Sequence, residues 1–415
     1  MRSNKLLFLV LLSAVVTGCS DGNYYSSSSS NPSSISSPGS NSTTGTSGSS
    51  APSGNNVLTL TVNGSLCSTG SYPNKPCVSI TVCSPGTSTC QTISDILLDT
   101  GSYGLRIFKS LLTGVSLNQV TSGSGSLAEC VQYADGSADW GPVQTADIIL
   151  GNEPAVQVPI QVIDATFSTL PSICTNPDLN PYTAGFNGIL GVGLFAQDCG
   201  PACASLADNG IYYVCSGSTC TSTTADLTSQ VQNPVALLPR DSNGVMLQLP
   251  GVSPGGTDSV NGSLVLGIGT ESNNSPSGVT VYATDSTFGE FTTVFNGSTY
   301  SQSFIDSGSN GLYFPAPNNV LPACTGQYSG FYCPPSTTNL SATNMSATGS
   351  PSNTVSYEIG NASSLLSSSN NVFSDLGGSA SGYFDWGLPF FLGRTVYVGI
   401  EGKASSLGTG PYWAY

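Results

Sequence analysis

The stretch Ile96-Leu-Leu-Asp-Thr-Gly-Ser-Tyr-Gly-Leu105 decides the reading of this 415-residue chain, because it returns 207 residues later as Ser303-Phe-Ile-Asp-Ser-Gly-Ser-Asn-Gly-Leu312. Each copy is an apolar strand running into Asp-Thr/Ser-Gly-Ser and closing on Gly-Leu. A chain carrying this unit once in each half can bring Asp99 and Asp306 face to face. Two facing carboxylates that share one proton can activate a water molecule.

The surroundings of the two copies also repeat. Residues 78–83 and 90–93 flank Ser-Pro-Gly-Thr, residues 292–295 and 299–302 flank Asn-Gly-Ser, and both pairs read as hairpins leading into an Asp motif. Downstream, Gly188-Ile-Leu-Gly-Val-Gly193 places Gly191 92 residues after Asp99, and Pro389-Phe-Phe-Leu-Gly-Arg394 places Gly393 87 residues after Asp306. Each half thus reads Asp-Thr/Ser-Gly followed by an apolar-apolar-Gly run. The stretch Asn261-Gly-Ser-Leu-Val-Leu-Gly267 reads as the last strand before the chain crosses between lobes.

Composition supports an exported, turn-rich, all-β chain. Hydrophobic residues make up 38% and charged residues only 7%, so Ser, Thr, Asn, Gln and Gly must cover the surface. Histidine is absent, which excludes Ser-His-Asp and Cys-His catalysis and any His-liganded metal site. No C-x-x-C pair suggests a metal either, and no cofactor is implied. A net charge of −15 argues against a nucleic-acid partner. Helical patterns are scarce, the best being 108–113 and 362–366, and Trp140, Trp386 and Trp413 read as core or edge packing.

At the N-terminus, Arg2 and Lys5 precede the apolar run 6–16 and then Val16-Thr-Gly-Cys19. This reads as a signal peptide over 1–18, too short to span a membrane. Its ending resembles the lipobox of bacterial lipoproteins. That resemblance implies lipid on Cys19, and Ser20 in the next position implies the outer membrane of a Gram-negative envelope. Residues 19–56, almost all Ser, Gly, Asn, Pro and Thr, are expected to form a disordered tether. The remaining twelve cysteines are an even number in an oxidising compartment. Proximity pairs Cys67 with Cys77, Cys83 with Cys90, Cys199 with Cys203, Cys215 with Cys220, and Cys324 with Cys333. Cys130 and Cys174 are left as the long-range pair.

The motifs, in this order over 57–415, resemble the pepsin-like aspartic proteases, and also a family of bacterial lipoproteins of unknown function with paired Asp-Thr/Ser-Gly motifs. The resemblance implies an all-β, bilobal pepsin-like (acid protease) double barrel with pseudo-twofold symmetry, its first lobe at 57–267 and its second at 268–415. It implies Asp99 and Asp306 as the catalytic pair and Thr100 and Ser307 as hydroxyls cross-linking the two loops. Gly101 and Gly308 would supply backbone N–H groups, and Ser102 and Ser309 the outer hydroxyls bonded to the carboxylates. Tyr133-Ala-Asp-Gly-Ser137 matches the flap over the substrate, with Tyr133 as the flap tyrosine and Asp135 and Gly136 at substrate-contacting positions.

One departure stands out: Arg106 occupies the position where pepsins commonly carry a Trp supporting the flap tyrosine. An Arg near the pair would depress a carboxylate pKa or pair with substrate. The cysteine-rich segment 199–220 has no counterpart in the family. The expected function is a membrane-anchored, monomeric aspartic endopeptidase acting on peptide or protein substrates. The alternatives are an inactive pepsin-fold binding or inhibitory module on the cell envelope, or other two-carboxylate chemistry such as glycoside hydrolysis.

Overall fold

Asn296 and Gly297 both take positive φ, at +49° and +77°, so the chain reverses in a two-residue turn whose twist suits the flanking strands Phe291–Phe295 and Ser298–Ile305. Strict alternation of buried and half-exposed residues along Phe291–Phe295 presents Phe291, Thr293 and Phe295 to the interior. Local signals of this kind, repeated along the chain, give a mostly β molecule. The structure is a computed structural model and describes residues 52–62, 72–133 and 135–415.

In the first half, six strands close into a barrel. In ring order they are Pro76–Cys83, Cys90–Asp99, Gly188–Val192, Tyr103–Phe108, Val156–Ile163 and Ala138–Ile149, and the last pairs back onto the first. Where a second barrel was expected, the other half is an open half-barrel of seven strands. Its order is Ser352–Ile359, Thr338–Met345, Phe291–Phe295, Ser298–Ile305, Phe384–Trp386, Leu312–Phe314 and Gly377–Ser379. It stays open because its two edge strands do not pair with each other among the described residues.

An antiparallel sheet joins the halves and draws on both ends of the described chain. Its strands are Val57–Val62, Val260–Leu266, Gly244–Gln248, Thr395–Gly399, Tyr412–Ala414 and Val281–Ala283. One apolar cluster runs through it from Leu60 and Leu98 to Phe384 and Trp386. Asn74 adds a polar stitch between the halves, its amide donating to the carbonyls of Asn310 (2.7 Å) and Phe373 (3.0 Å) and its Oδ1 accepting from Phe373 N (2.7 Å). Trp140, Trp386 and Trp413 are all fully buried.

Several expectations need adjustment here. The tether does not extend to 56, because Asn56 is buried and its amide donates to Leu266 O at 2.9 Å. The expected helix at 108–113 is a single 3-10 turn at Lys109–Leu111, whereas Ala362–Leu365 is helical. Five of the six expected pairings form disulfides among the described residues: Cys83–Cys90, Cys130–Cys174, Cys199–Cys203, Cys215–Cys220 and Cys324–Cys333. Cys77 is also disulfide-bonded, but its expected partner Cys67 lies outside the described residues, as do the expected signal peptide, Cys19 and most of the expected tether. Among the described residues no helix is long and apolar enough to cross a membrane.

Candidate active site: paired carboxyls under a stapled hairpin

The strands Cys90–Asp99 and Ser298–Ile305 each deliver an Asp motif, and the two loops that follow interlock. Thr100 Oγ1 donates to Ile305 O at 2.9 Å and accepts from Ser307 N at 2.9 Å. Ser307 Oγ reciprocates, donating to Leu98 O at 2.7 Å and accepting from Thr100 N at 3.1 Å. Each hydroxyl thus satisfies buried backbone groups of the other half, which would otherwise be orphaned.

The carboxyls above this cross-link are held alike. Asp99 accepts from Gly101 N at 2.8 Å and from the Ser102 hydroxyl. Asp306 accepts from Gly308 N at 2.7 Å and from Ser309 Oγ at 2.9 Å. The glycines are required by close approach. A Cβ on Gly101 would sit 2.6 Å from Asp306 Cγ, and one on Gly308 would sit 2.8 Å from Asp99 Oδ1. Each carboxyl therefore lies over the opposite glycine. Burial pushes Asp306 well above the usual carboxylate range, and the adjacent Asp99 charge and then Asp385 add to the shift.

Asp99 and Asp306 share a cleft of about 290 Å³ with Tyr72, Tyr133, Asp135, Asp178 and Phe186. Tyr133 ends the hairpin strand Gly125–Gln132, and its N–H donates to Ser137 O across the turn. Its hydroxyl donates to Asp139 Oδ2 at 2.6 Å, so a carboxyl on the partner strand supports the tyrosine. Asp135 Oδ1 accepts from Ser137 N (2.9 Å) and Ser137 Oγ (2.7 Å), and Gly136 forms the turn at φ +88°. Burial first, partly offset by the Tyr133 hydroxyl and Arg106, takes Asp139 up to about 6. Burial, then the charges of Asp139 and Asp135, take Asp178 up to about 8.

Arg106 does not face the carboxyl pair. Its guanidinium is buried and donates to Tyr103 O at 2.8 Å, to Glu129 Oε1 at 2.8 Å and to Asp198 Oδ2 at 3.0 Å. Two buried carboxylates capture this cation, so it neither depresses the pair nor reaches the cleft. It ties the barrel strand Tyr103–Phe108 to the hairpin strand that carries Glu129. The 199–220 segment has a similar task. Its strand Tyr212–Ser216 pairs with Gly125–Gln132, widening the hairpin into a larger sheet, and Cys130–Cys174 pins that sheet to the loop walling the cleft.

The second glycine run was misassigned. In the first half, Gly188–Val192 runs parallel to Cys90–Asp99, with Gly191 opposite Asp99 and packed against the Ser102 carbonyl. The equivalent strand in the second half is Phe384–Trp386, parallel to Ser298–Ile305, and Gly387 packs against the Ser309 carbonyl at the matching place. Gly393 lies elsewhere, against Gly251. The polar Asp385 interrupts the apolar pattern and hid the match. Asp385, Asp139, Asp178 and Tyr72, whose hydroxyl donates to Gly308 O at 2.9 Å, are site residues that motif spacing did not reveal.

Residues 52–415 match the model of a family described as a protein of unknown function (DUF3443), and the chain belongs to that family. No curated protein matches it.

Proposed function

We propose that the chain is an aspartic endopeptidase of pepsin-like architecture, with Asp99 and Asp306 as its catalytic pair. The observation that carries this reading is the reciprocal cross-link of Thr100 and Ser307 beneath two carboxyls at the floor of one cleft. Like charges at contact distance do not both ionise cheaply, so the pair holds one proton, and burial favours its residence on Asp306. Asp99 then acts as general base. It takes a proton from a water between the carboxyls, the water oxygen attacks the scissile carbonyl, and Asp306 donates its proton to the carbonyl oxygen. As the tetrahedral species collapses, the C–N bond breaks, Asp99 passes its proton to the leaving nitrogen, and a hydroxyl of the intermediate returns a proton to Asp306, which restores the pair. Tyr133 and the hairpin exclude bulk water and align an extended peptide.

The test is digestion of a denatured protein by the purified chain across pH ~3 to 7, the range of ordinary carboxyl titration. Cleavage is expected in wild type and absent in both Asp99→Asn and Asp306→Asn, with the fold retained. A statine-type transition-state analogue should raise the melting temperature of wild type. A second reading, a peptide-binding module without turnover, draws on the stapled hairpin, which suits a fixed groove. Analogue binding without cleavage of any substrate would favour it. Absence of both cleavage and analogue binding would overturn the peptidase.

A further inference from the structure

Asp385 sits where the first half has an apolar side chain. The parallel pairing sets Ile189 opposite Leu97, and the equivalent pairing sets Asp385 opposite Phe304. Asp385 is fully buried, and neither of its carboxyl oxygens makes a hydrogen bond of normal length among the described residues. An acid left so in an apolar slot is costly unless it serves a purpose. The strand carrying it ends at Gly387, against the loop that holds Ser309. Ser309 is also the hydroxyl that donates to Asp306, and it lies near enough to Asp385 to favour that carboxylate too.

We propose that Asp385 is a third carboxyl of the site, a positioning residue that keeps the shared proton on Asp306 to higher pH than a pair alone could; this rests on the peptidase reading for its effect on catalysis. Every titratable group facing Asp385 is an acid. Its own strand is preceded by Tyr383, the strand Leu312–Phe314 contributes Tyr313, and the strand Ser298–Ile305 leads to Asp306, with Asp99 beyond. Among the described residues, no cation stands with them.

Burial holds Asp385 well above the usual carboxylate range, so it is neutral over the acid part of the working range. While neutral, it leaves the Ser309 hydroxyl to serve Asp306 alone. When rising pH ionises Asp385, Ser309 has a single hydroxyl proton for two carboxylates. The new negative charge also raises the cost of a second on Asp306. Asp306 therefore retains its proton, and the general acid survives into a pH range where two carboxyls alone would have lost it.

The experiment compares wild type with Asp385→Asn, which keeps the shape but never ionises, and with Asp385→Leu, which restores the apolar side chain of the first half. The first readout is the alkaline limb of the kcat/KM–pH profile on a peptide cleaved by wild type. Both variants should move that limb about one pH unit lower, as expected for removal of one nearby negative charge. The second readout needs no turnover. It is isotope-edited infrared spectroscopy of 13C-labelled aspartate, following the protonated band that vanishes in Asp306→Asn. Its pH midpoint should fall by the same amount in both Asp385 variants. A shifted midpoint without peptide cleavage by wild type would uphold the role of Asp385 and sink the peptidase. An unmoved midpoint, or cleavage with an unmoved alkaline limb, would overturn the proposal, and reduced kcat alone would mark Asp385 as merely structural.

Discussion

Replacing Arg106 with Met removes a cation held between two buried carboxyls. Arg106, Glu129 and Asp198 are exposed by only 1%, 0% and 2% at their side chains, so water cannot take over the missing partner. Breaking a buried pair from one side costs about 3–5 kcal/mol. A folded body of about 360 residues unfolds with an entropy near 0.8 kcal/mol/K, so the melting temperature should fall by about 4–6 °C near pH 8. Burial, then Asp198, already push Glu129 well above its ordinary range, while Arg106 pulls it down. A raised carboxyl destabilises the fold as pH climbs from the unfolded toward the folded pKa, and removing Arg106 raises it further. The deficit of Arg106→Met should therefore be largest at alkaline pH and shrink toward pH ~4, where Glu129 is neutral. Thermal melts of both proteins from pH ~4 to ~8 measure this directly. A variant within about 1 °C of wild type at pH 8, or a deficit independent of pH, would refute the assignment of Arg106 as the counter-ion of this cluster. Since Arg106 does not touch the carboxyl pair, Arg106→Trp is expected to damage the fold rather than to tune activity.

The remaining predictions concern the cross-link and the N-terminus. Thr100→Val orphans Ser307 N–H and Ile305 C=O, each worth about 1–3 kcal/mol, so it should lower the melting temperature and disable cleavage, while Thr100→Ser stays close to wild type in both assays. For Cys19 we propose lipid attachment; Cys19→Ser should then release the protein from membranes or block its processing, and unchanged fractionation together with unchanged processing would argue against an anchor.

What the sequence revealed depended on how local each signal was. The interlocked Asp loops were legible because all six hydroxyl and carboxyl positions fall inside two ten-residue copies of one pattern. Four of the five observed disulfides join cysteines four to nine residues apart, and Cys130–Cys174 followed as the remaining pair. Arg106 was misread because its partners lie 23 and 92 residues along the chain, and nothing near it in sequence announces them. The second glycine run was misplaced because the first-half pattern has two apolar residues before Gly, and Asp385-Trp386-Gly387 breaks it where a buried acid has replaced an apolar side chain. Asn56 looked like tether because its neighbours are polar, yet it caps the bridging sheet through its amide.

The crossed hydroxyls of Thr100 and Ser307 also govern when the site comes into being. Neither loop is complete until residues 207 positions apart have met, and the sheet that holds the halves together closes only when Tyr412–Ala414 has inserted between Thr395–Gly399 and Val281–Ala283. Contacts of such long range form late and slowly. A partly synthesised chain carries Asp99 without the partner loop that orients it. The paired geometry of Asp99 and Asp306 is thus complete only once both halves of the chain are in place.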